Sequence, residues 1–227
     1  MASPLAEAHI AAQARLRGLT VRTLTRIWNE LPGYDRENVD EWLSRVLPVV
    51  LTAQRTAGNL TEAYLARAMD RQPFGTVPDY PRNDASPDEV YQRPFVTLWG
   101  KLGEGLMFAD ASSAALARAT STAAMDVQMA MAQTARAVGT ADPLIQRFQR
   151  VADAGACAFC QEVDGAILNS DDAMPLHNNC GCGIEPLTEA RPVTPVSQNV
   201  AVHQHGELGP VLGSAEHDFT TAALALS

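Results

Sequence analysis

A helical pattern that begins at Ser86 and continues to about Val138 dominates the sequence. Ser86-Pro87-Asp88-Glu89 is a strong helix start, because the serine can cap, Pro87 suits the first helical position and Glu89 can reach back to complete a capping box. A single straight helix over this stretch would be roughly 78 Å long at about 1.5 Å per residue. Pro94 and the glycines Gly100, Gly103 and Gly105 argue against that, since each glycine inside a helix costs about 1 kcal/mol relative to alanine. Two helices, or one sharply kinked, are therefore expected. The later half, Ala109 to Val138, is rich in Ala, Ser and Thr and carries Met125, Met129 and Met131. Its small side chains allow close approach of a neighbouring helix, and the methionines read as packing and not as a cofactor box.

Upstream, Leu16, Leu19, Leu24, Ile27 and Leu31 recur at helical spacing with Pro32-Gly33 as a stop signal. From Asp35 a second pattern places Val39, Trp42, Leu43, Val46 and Val50 on one face. Pro48 should bend it, and Gly58-Asn59 is a candidate break before the period resumes from Leu60 to Met69. Residues 70–85 hold three prolines and a glycine without periodicity and read as a loop. Asp142-Pro143 opens what reads as a short helix through Val151. Aromatic residues are only 6% of the chain, which favours closely packed helices over a sandwich of strands. The expected class is mainly α: an extended helical region over 1–150, a small Cys/His module over 151–190, and an irregular acidic tail over 191–227.

Charge is distributed unevenly. Residues 1–150 carry 16 basic and 16 acidic side chains, whereas residues 151–227 carry 1 and 10, so the whole net charge of −9 lies in the last third. A surface that grips a nucleic-acid backbone needs clustered Lys and Arg, which this third lacks. No apolar run approaches the roughly 18 residues needed to span a bilayer, and the N-terminus has no signal-peptide pattern, so the expectation is a protein without membrane contact that works in the compartment of its synthesis.

All four cysteines fall within 26 residues: Cys157-x2-Cys160, then Cys180-x-Cys182, with His177 three residues before Cys180. Each of the two knuckles, Cys157/Cys160 and His177/Cys180, presents two ligands to one tetrahedral ion, and zinc is the natural occupant. Cys182 is a fifth candidate for four positions. If Cys180 to Cys182 is extended, both side chains point to one face, so Cys182 could replace His177 or Cys180 and the ligand set stays open. Disulfides do not suit a chain without an export signal, and a redox CxxC lacks the surrounding βαβ pattern; unliganded buried cysteines are the bland alternative to the metal. Four or more protein ligands would make such a site closed and structural, with no open position for a catalytic water.

Weaker candidates are His203, His205 and Glu207 as a second metal site, Asp171-Asp172 as an acid/base pair, and Arg93-Pro94 as either a kink or a placed arginine. A solvated segment and a solvated turn are the blander accounts of the first two. Phosphate loops, GxGxxG, HExxH and GxSxG are absent from the sequence, so no catalytic residues are assigned and no enzyme is expected.

Gly155-Ala-Cys-Ala-Phe-Cys-Gln161, Gly165, Pro175-Leu-His-Asn-Asn-Cys-Gly-Cys182 and Pro186 resemble the C-terminal motif of the MuF-like minor capsid (head morphogenesis) proteins of tailed bacteriophages. Tyr91-Gln-Arg-Pro-Phe95 and His205-Gly-Glu-Leu-Gly-Pro-Val211 are similar to versions from phages of high-GC actinobacteria. The resemblance implies a minor head protein built into the procapsid in the bacterial host cytoplasm. It would lie in the virion inside the head, associated with the portal protein and the inner capsid surface, with nucleic acid at most a secondary contact. Some relatives are fused to a protease or toxin domain, and no such activity is expected of this chain. A zinc-containing nucleic-acid binder and a virion-carried effector enzyme are the alternative readings.

Overall fold

The computed structural model describes residues 2–169, 181–193 and 200–214, and it is mainly helical. Four long helices come first: α1 (Pro4–Asn29), α2 (Glu37–Ala68), α3 (Pro87–Gly103) and α4 (Phe108–Ala141). Ser3 caps α1 by accepting from the Ala6 amide, and Pro4 stands at its first position. At α3 the capping box is complete, with the Glu89 amide donating to Ser86 Oγ and the Ser86 amide to the Glu89 carboxylate. The long pattern does split in two, at Glu104-Gly105, where Gly105 takes φ +90°, a left-handed conformation that glycine adopts without strain.

The α2 pattern, by contrast, does not break. Pro48 sits inside it and Gly58-Asn59 is helical. Gly58 serves contact and not interruption: a Cβ there would lie 2.3 Å from Val77 Cγ1 and 2.9 Å from Thr134 Oγ1. The 71–85 segment and α4 therefore close over the helix at the one position with no side chain.

Two apolar clusters fill the helical body. One gathers Leu24, Ile27, Trp28, Trp42, Val46, Val50, Val90, Phe95 and Leu98 against Ala111, Ala115, Ala119 and Ala123, a ladder of alanines four residues apart on α4. All three tryptophans lie here, with Trp28 edge-on to Trp42 at 5.3 Å and Trp99 5.7 Å from Phe95. Their indole N–H groups are satisfied by Ser112, the Tyr91 carbonyl and the Tyr34 carbonyl. The second cluster contains Met125, Met129 and Met131, so the methionines are packing residues, and it extends into the C-terminal part through Phe148, Cys160, Leu168, Cys182 and Ile184. Ala53, Ala57, Val127 and Ala130 form a small waist of their own between α2 and α4.

The stretch expected as a helix through Val151 is instead a strand, β1 (Arg147–Val151), the centre of an antiparallel sheet ordered β2-β1-β3 with β2 (Ile167–Asn169) and β3 (Gly183–Leu187). Asp142 stops α4 by turning the chain, its Oδ1 accepting from the Leu144 amide and its carbonyl from Ile145. The one-turn helix α5 (Ala158–Glu162) lies between β1 and β2. The sheet is fastened to the helices by polar and steric contacts: Tyr64 Oη donates to the Ile184 carbonyl at 2.9 Å, Gln128 Nε2 to the Cys182 carbonyl at 2.8 Å, and the Ser3 amide to Glu185. Gly183 lets α1 approach, since a Cβ there would meet Ile10 Cγ1 at 2.5 Å.

The tail is not wholly irregular. Residues Val200–His205 (β4) and Gly209–Ser214 (β5) pair as a hairpin, a two-stranded sheet of their own. Gly206-Glu207-Leu208 make its turn, and Gly209 at φ +73° supplies the left-handed residue that closes such a three-residue loop.

Candidate functional site

The β1–β3 register carries Cys157, Cys160 and Cys182 toward one end of the sheet. Val151 is opposite Gly183, so the segment leaving β1 toward Cys157 and Cys160 begins beside the residue that follows Cys182. Cys160 and Cys182 are both buried and share one apolar cluster, while Cys157, at the N-cap of α5, is exposed. Arg150, only 2% exposed, places its Nη2 3.6 Å from Cys160 Sγ. A guanidinium in that position sets a fixed positive charge beside a sulfur that would be negative as a metal ligand, and thiolate-rich zinc sites need such compensation. Cys157, Cys160 and Cys182 are soft donors of the kind that zinc takes, and a closed site needs a fourth ligand besides them. His177 and Cys180 lie outside the described residues, as does the Asp171-Asp172 pair. Among the described residues, no three His, Cys, Asp or Glu side chains are grouped to hold a metal.

In the HxHxE element, Glu207 and His205 have partners within the chain. Glu207, at the tip of the β4–β5 turn, is held by two arginines: Arg82 Nη1 donates to Oε1 at 2.9 Å, and Arg93 Nη1 lies 3.0 Å from both carboxylate oxygens. His205 Nδ1 accepts from the amides of Glu207 and Leu208, shaping the turn, and the side chain of His203 is outside the described set. Arg93 is therefore a placed arginine. These guanidiniums hold the Glu207 carboxyl below the usual range against the opposing effect of its burial.

Beneath Glu207 is a buried carboxylate that sequence reasoning did not single out. Asp126, fully buried on α4, takes Arg82 Nε and Nη2 on Oδ1, each at 2.7 Å, and accepts from Tyr91 Oη at 2.8 Å and Gln54 Nε2 at 3.3 Å on Oδ2. Burial pushes its pKa up while Arg82 and Tyr91 pull it down, and burial is the larger effect. The signal was present in the sequence: Asp126 is the only acidic residue between Asp110 and Asp142, in the middle of an Ala- and Met-rich helix. A lone acid there must find a partner or stay neutral.

A second buried polar group joins α1 to α2. The His9 ring stacks on Tyr64 at 4.5 Å with 10° between planes, and its Nε2 lies 3.2 Å from both Thr61 Oγ1 and Gln13 Nε2. Burial lowers its pKa to about 4, so it is neutral near pH 7.

The large apolar side chains exposed on the helices are Leu19 on α1 and a group on α3 and at the α3–α4 turn. At the α3–α4 turn every residue from Leu102 to Asp110 is exposed, and Leu102, Leu106, Met107 and Phe108 stand there together, Met107 74% exposed. Val96, one side of α3 earlier, is also exposed. Among the described residues, no helix is long and apolar enough to cross a membrane.

Residues 2–203 match the sequence profile of a family described as VG15 protein. No curated protein matches the chain, and no solved structure does.

Proposed function

We propose a role in phage head assembly from one premise: the chain belongs to the VG15 protein family, a family of phage gene products, and is a phage protein. Within that class, the reading is a minor capsid (head morphogenesis) protein that acts by binding and not by catalysis. It would associate with the portal protein and the inner capsid surface inside the head during procapsid assembly. The observation that carries the binding role is the apolar α3–α4 tip, where Leu102, Leu106, Met107 and Phe108 meet solvent at the end of a helical body whose other large apolar side chains are mostly enclosed. Such a contiguous patch marks a protein contact more often than a solvated surface. The Met- and Ala-rich face of α4 supports this assignment by elimination, because it is spent on the chain's own core.

The cysteine module fits the same reading as a structural element. Cys157, Cys160 and two of His177, Cys180 and Cys182 would hold one zinc ion, which would cross-link the β1–α5 connection to the start of β3. This chain's own contribution is to bury Cys160 and Cys182 and to set Arg150 beside Cys160.

Co-expression tests the role. The chain should co-purify with the portal protein encoded in the same phage and not with a portal from an unrelated phage, and the complex should survive moderate salt. Met107→Asp with Phe108→Asp should abolish it while leaving the helical content unchanged. Equal capture by both portals, or retention only on DNA with a steep loss as salt rises, would replace this reading with nucleic-acid binding.

A further inference from the structure

We propose that Arg82 and Arg93 form a carboxylate-binding pocket whose resident ligand is the chain's own Glu207, and that an acidic side chain of a partner protein takes its place when the β4–β5 hairpin swings away. The pocket is complete without the tail. Asp126 engages Nε and Nη2 of Arg82, and Tyr91 and Gln54 hold Asp126 from its other side. Arg82, with a side chain only 6% exposed, is thereby fixed with Nη1 directed at the Glu207 carboxylate. Arg93 reaches the same carboxylate from α3, and Arg118 on α4, donating to Thr97, adds a third guanidinium whose charge is felt by the other two. Every one of these groups belongs to residues 54–126. With Glu207 withdrawn, the two guanidiniums of Arg82 and Arg93 would remain with one buried carboxylate, an arrangement that draws in an anion, and paired arginines select a carboxylate by geometry as well as charge.

Exchange requires the hairpin turn to release its own contacts. Besides its carboxylate, the hairpin turn is tied down by the Asn83 amide donating to the Glu207 carbonyl at 2.9 Å, by Asn83 Nδ2 on the Gly206 carbonyl at 3.3 Å, and by Leu208 against the core edge. Among the described residues the two strands pair only with each other, and an isolated two-stranded hairpin is marginal in water. The complementarity is one of charge: a basic pocket on a chain of net charge −9, filled by one of that chain's own acids.

The test uses the full chain. Glu207→Ala empties the pocket, and the peptide acetyl-Gly-Glu-Leu-Gly-amide, which copies the turn, is titrated into it by calorimetry, with acetyl-Gly-Gln-Leu-Gly-amide as control. The acidic peptide should bind the variant at least ten-fold more tightly than it binds the native chain, the glutamine peptide should not bind, and added Arg93→Ala should remove binding. Arg93 is used because Arg82→Ala would leave Asp126 without its cation and put folding at risk. Amide exchange over residues 200–214 should accelerate at least ten-fold in Glu207→Ala. An unchanged exchange rate would refute the anchoring role, and failure of the peptide to bind at millimolar concentration would refute the pocket. A mixed dimer formed only between Glu207→Ala and Arg93→Ala chains would assign the site to a second copy and overturn the partner-protein assignment.

Discussion

Lowering the pH from 7 to 4.5 should weaken the fold through His9. In the folded chain its pKa is about 4, because the ring is buried between α1 and α2 against Tyr64, whereas an unfolded histidine titrates near 6.5. Between those two values the unfolded chain binds the proton and the folded chain does not, so stability rises with pH and is lost as pH falls through the window. The full gap corresponds to about 3 kcal/mol, and the part between pH 7 and pH 4.5 to about 2 kcal/mol. Carboxylates titrate in the same range, so the quantity that isolates His9 is a difference from His9→Gln, which keeps a neutral polar group on Thr61 but cannot take up a proton. At pH 7 the variant should be less stable by about 1–2 kcal/mol through the lost ring stack and hydrogen bond. Urea unfolding at both pH values gives the four free energies. The native chain should lose about 2 kcal/mol more than the variant on acidification; parallel losses would show that the ring is protonated in the folded state and that burial does not hold it neutral.

Two further outcomes test the packing and the metal. Gly58→Ala should cost about 1–3 kcal/mol in chemical denaturation, because its Cβ would overlap Val77 and Thr134; a stabilised variant, as expected for a free helix surface, would refute the close approach. Protein purified without chelator should contain one zinc per chain by elemental analysis, and Cys160→Ser should lower both the zinc content and the protease resistance of residues 151–190, whereas near-zero metal in the native chain would remove the zinc assignment.

The helical half was legible because its signals are local. The Ser86 capping box, the glycines around Gly105 and the apolar spacing of α1 each depend on neighbouring residues alone, and each corresponds to an observed feature. The errors arose where a distant contact decides. Ile145, Phe148 and Val151, three residues apart, mimic a helical face, and the strand alternation of Phe148 and Arg150 is hidden because one of the two inward residues is charged. Gly58 reads as a breaker until Val77 and Thr134 are seen to lie over it. Val200 to Gly213 does carry a hairpin pattern around Gly206-Glu207-Leu208, but its polar composition suggested an unstructured tail. Of the site, the cysteine spacing was visible in sequence, while the meeting of Arg82, Arg93, Asp126 and Glu207 was not, since it joins a loop, two helices and a hairpin tip 125 residues apart.

The position of Asp126 explains how so plain a helical surface finds a unique arrangement. Where α2 and α4 meet at the waist, the facing residues are Ala53, Ala57, Val127 and Ala130. Small side chains of similar size allow close approach but discriminate poorly between registers, since sliding one helix past the other by a turn would set alanine against alanine again. Gln54 and Asp126 stand next to these residues in sequence and bond across the same interface. A slip of one turn, about 5.4 Å along the axis, would separate Asp126 from Gln54, Arg82 and Tyr91 together and leave a buried carboxylate unpaired. Breaking such a pair costs about 3–5 kcal/mol, a large share of the net stability of about 5–15 kcal/mol that a domain typically has. The apolar clusters at either end therefore supply the drive to pack, and the buried carboxylate decides in which register. Because Arg82 extends from Asp126 to Glu207, the same group that fixes the helices also sets the place where the tail is received.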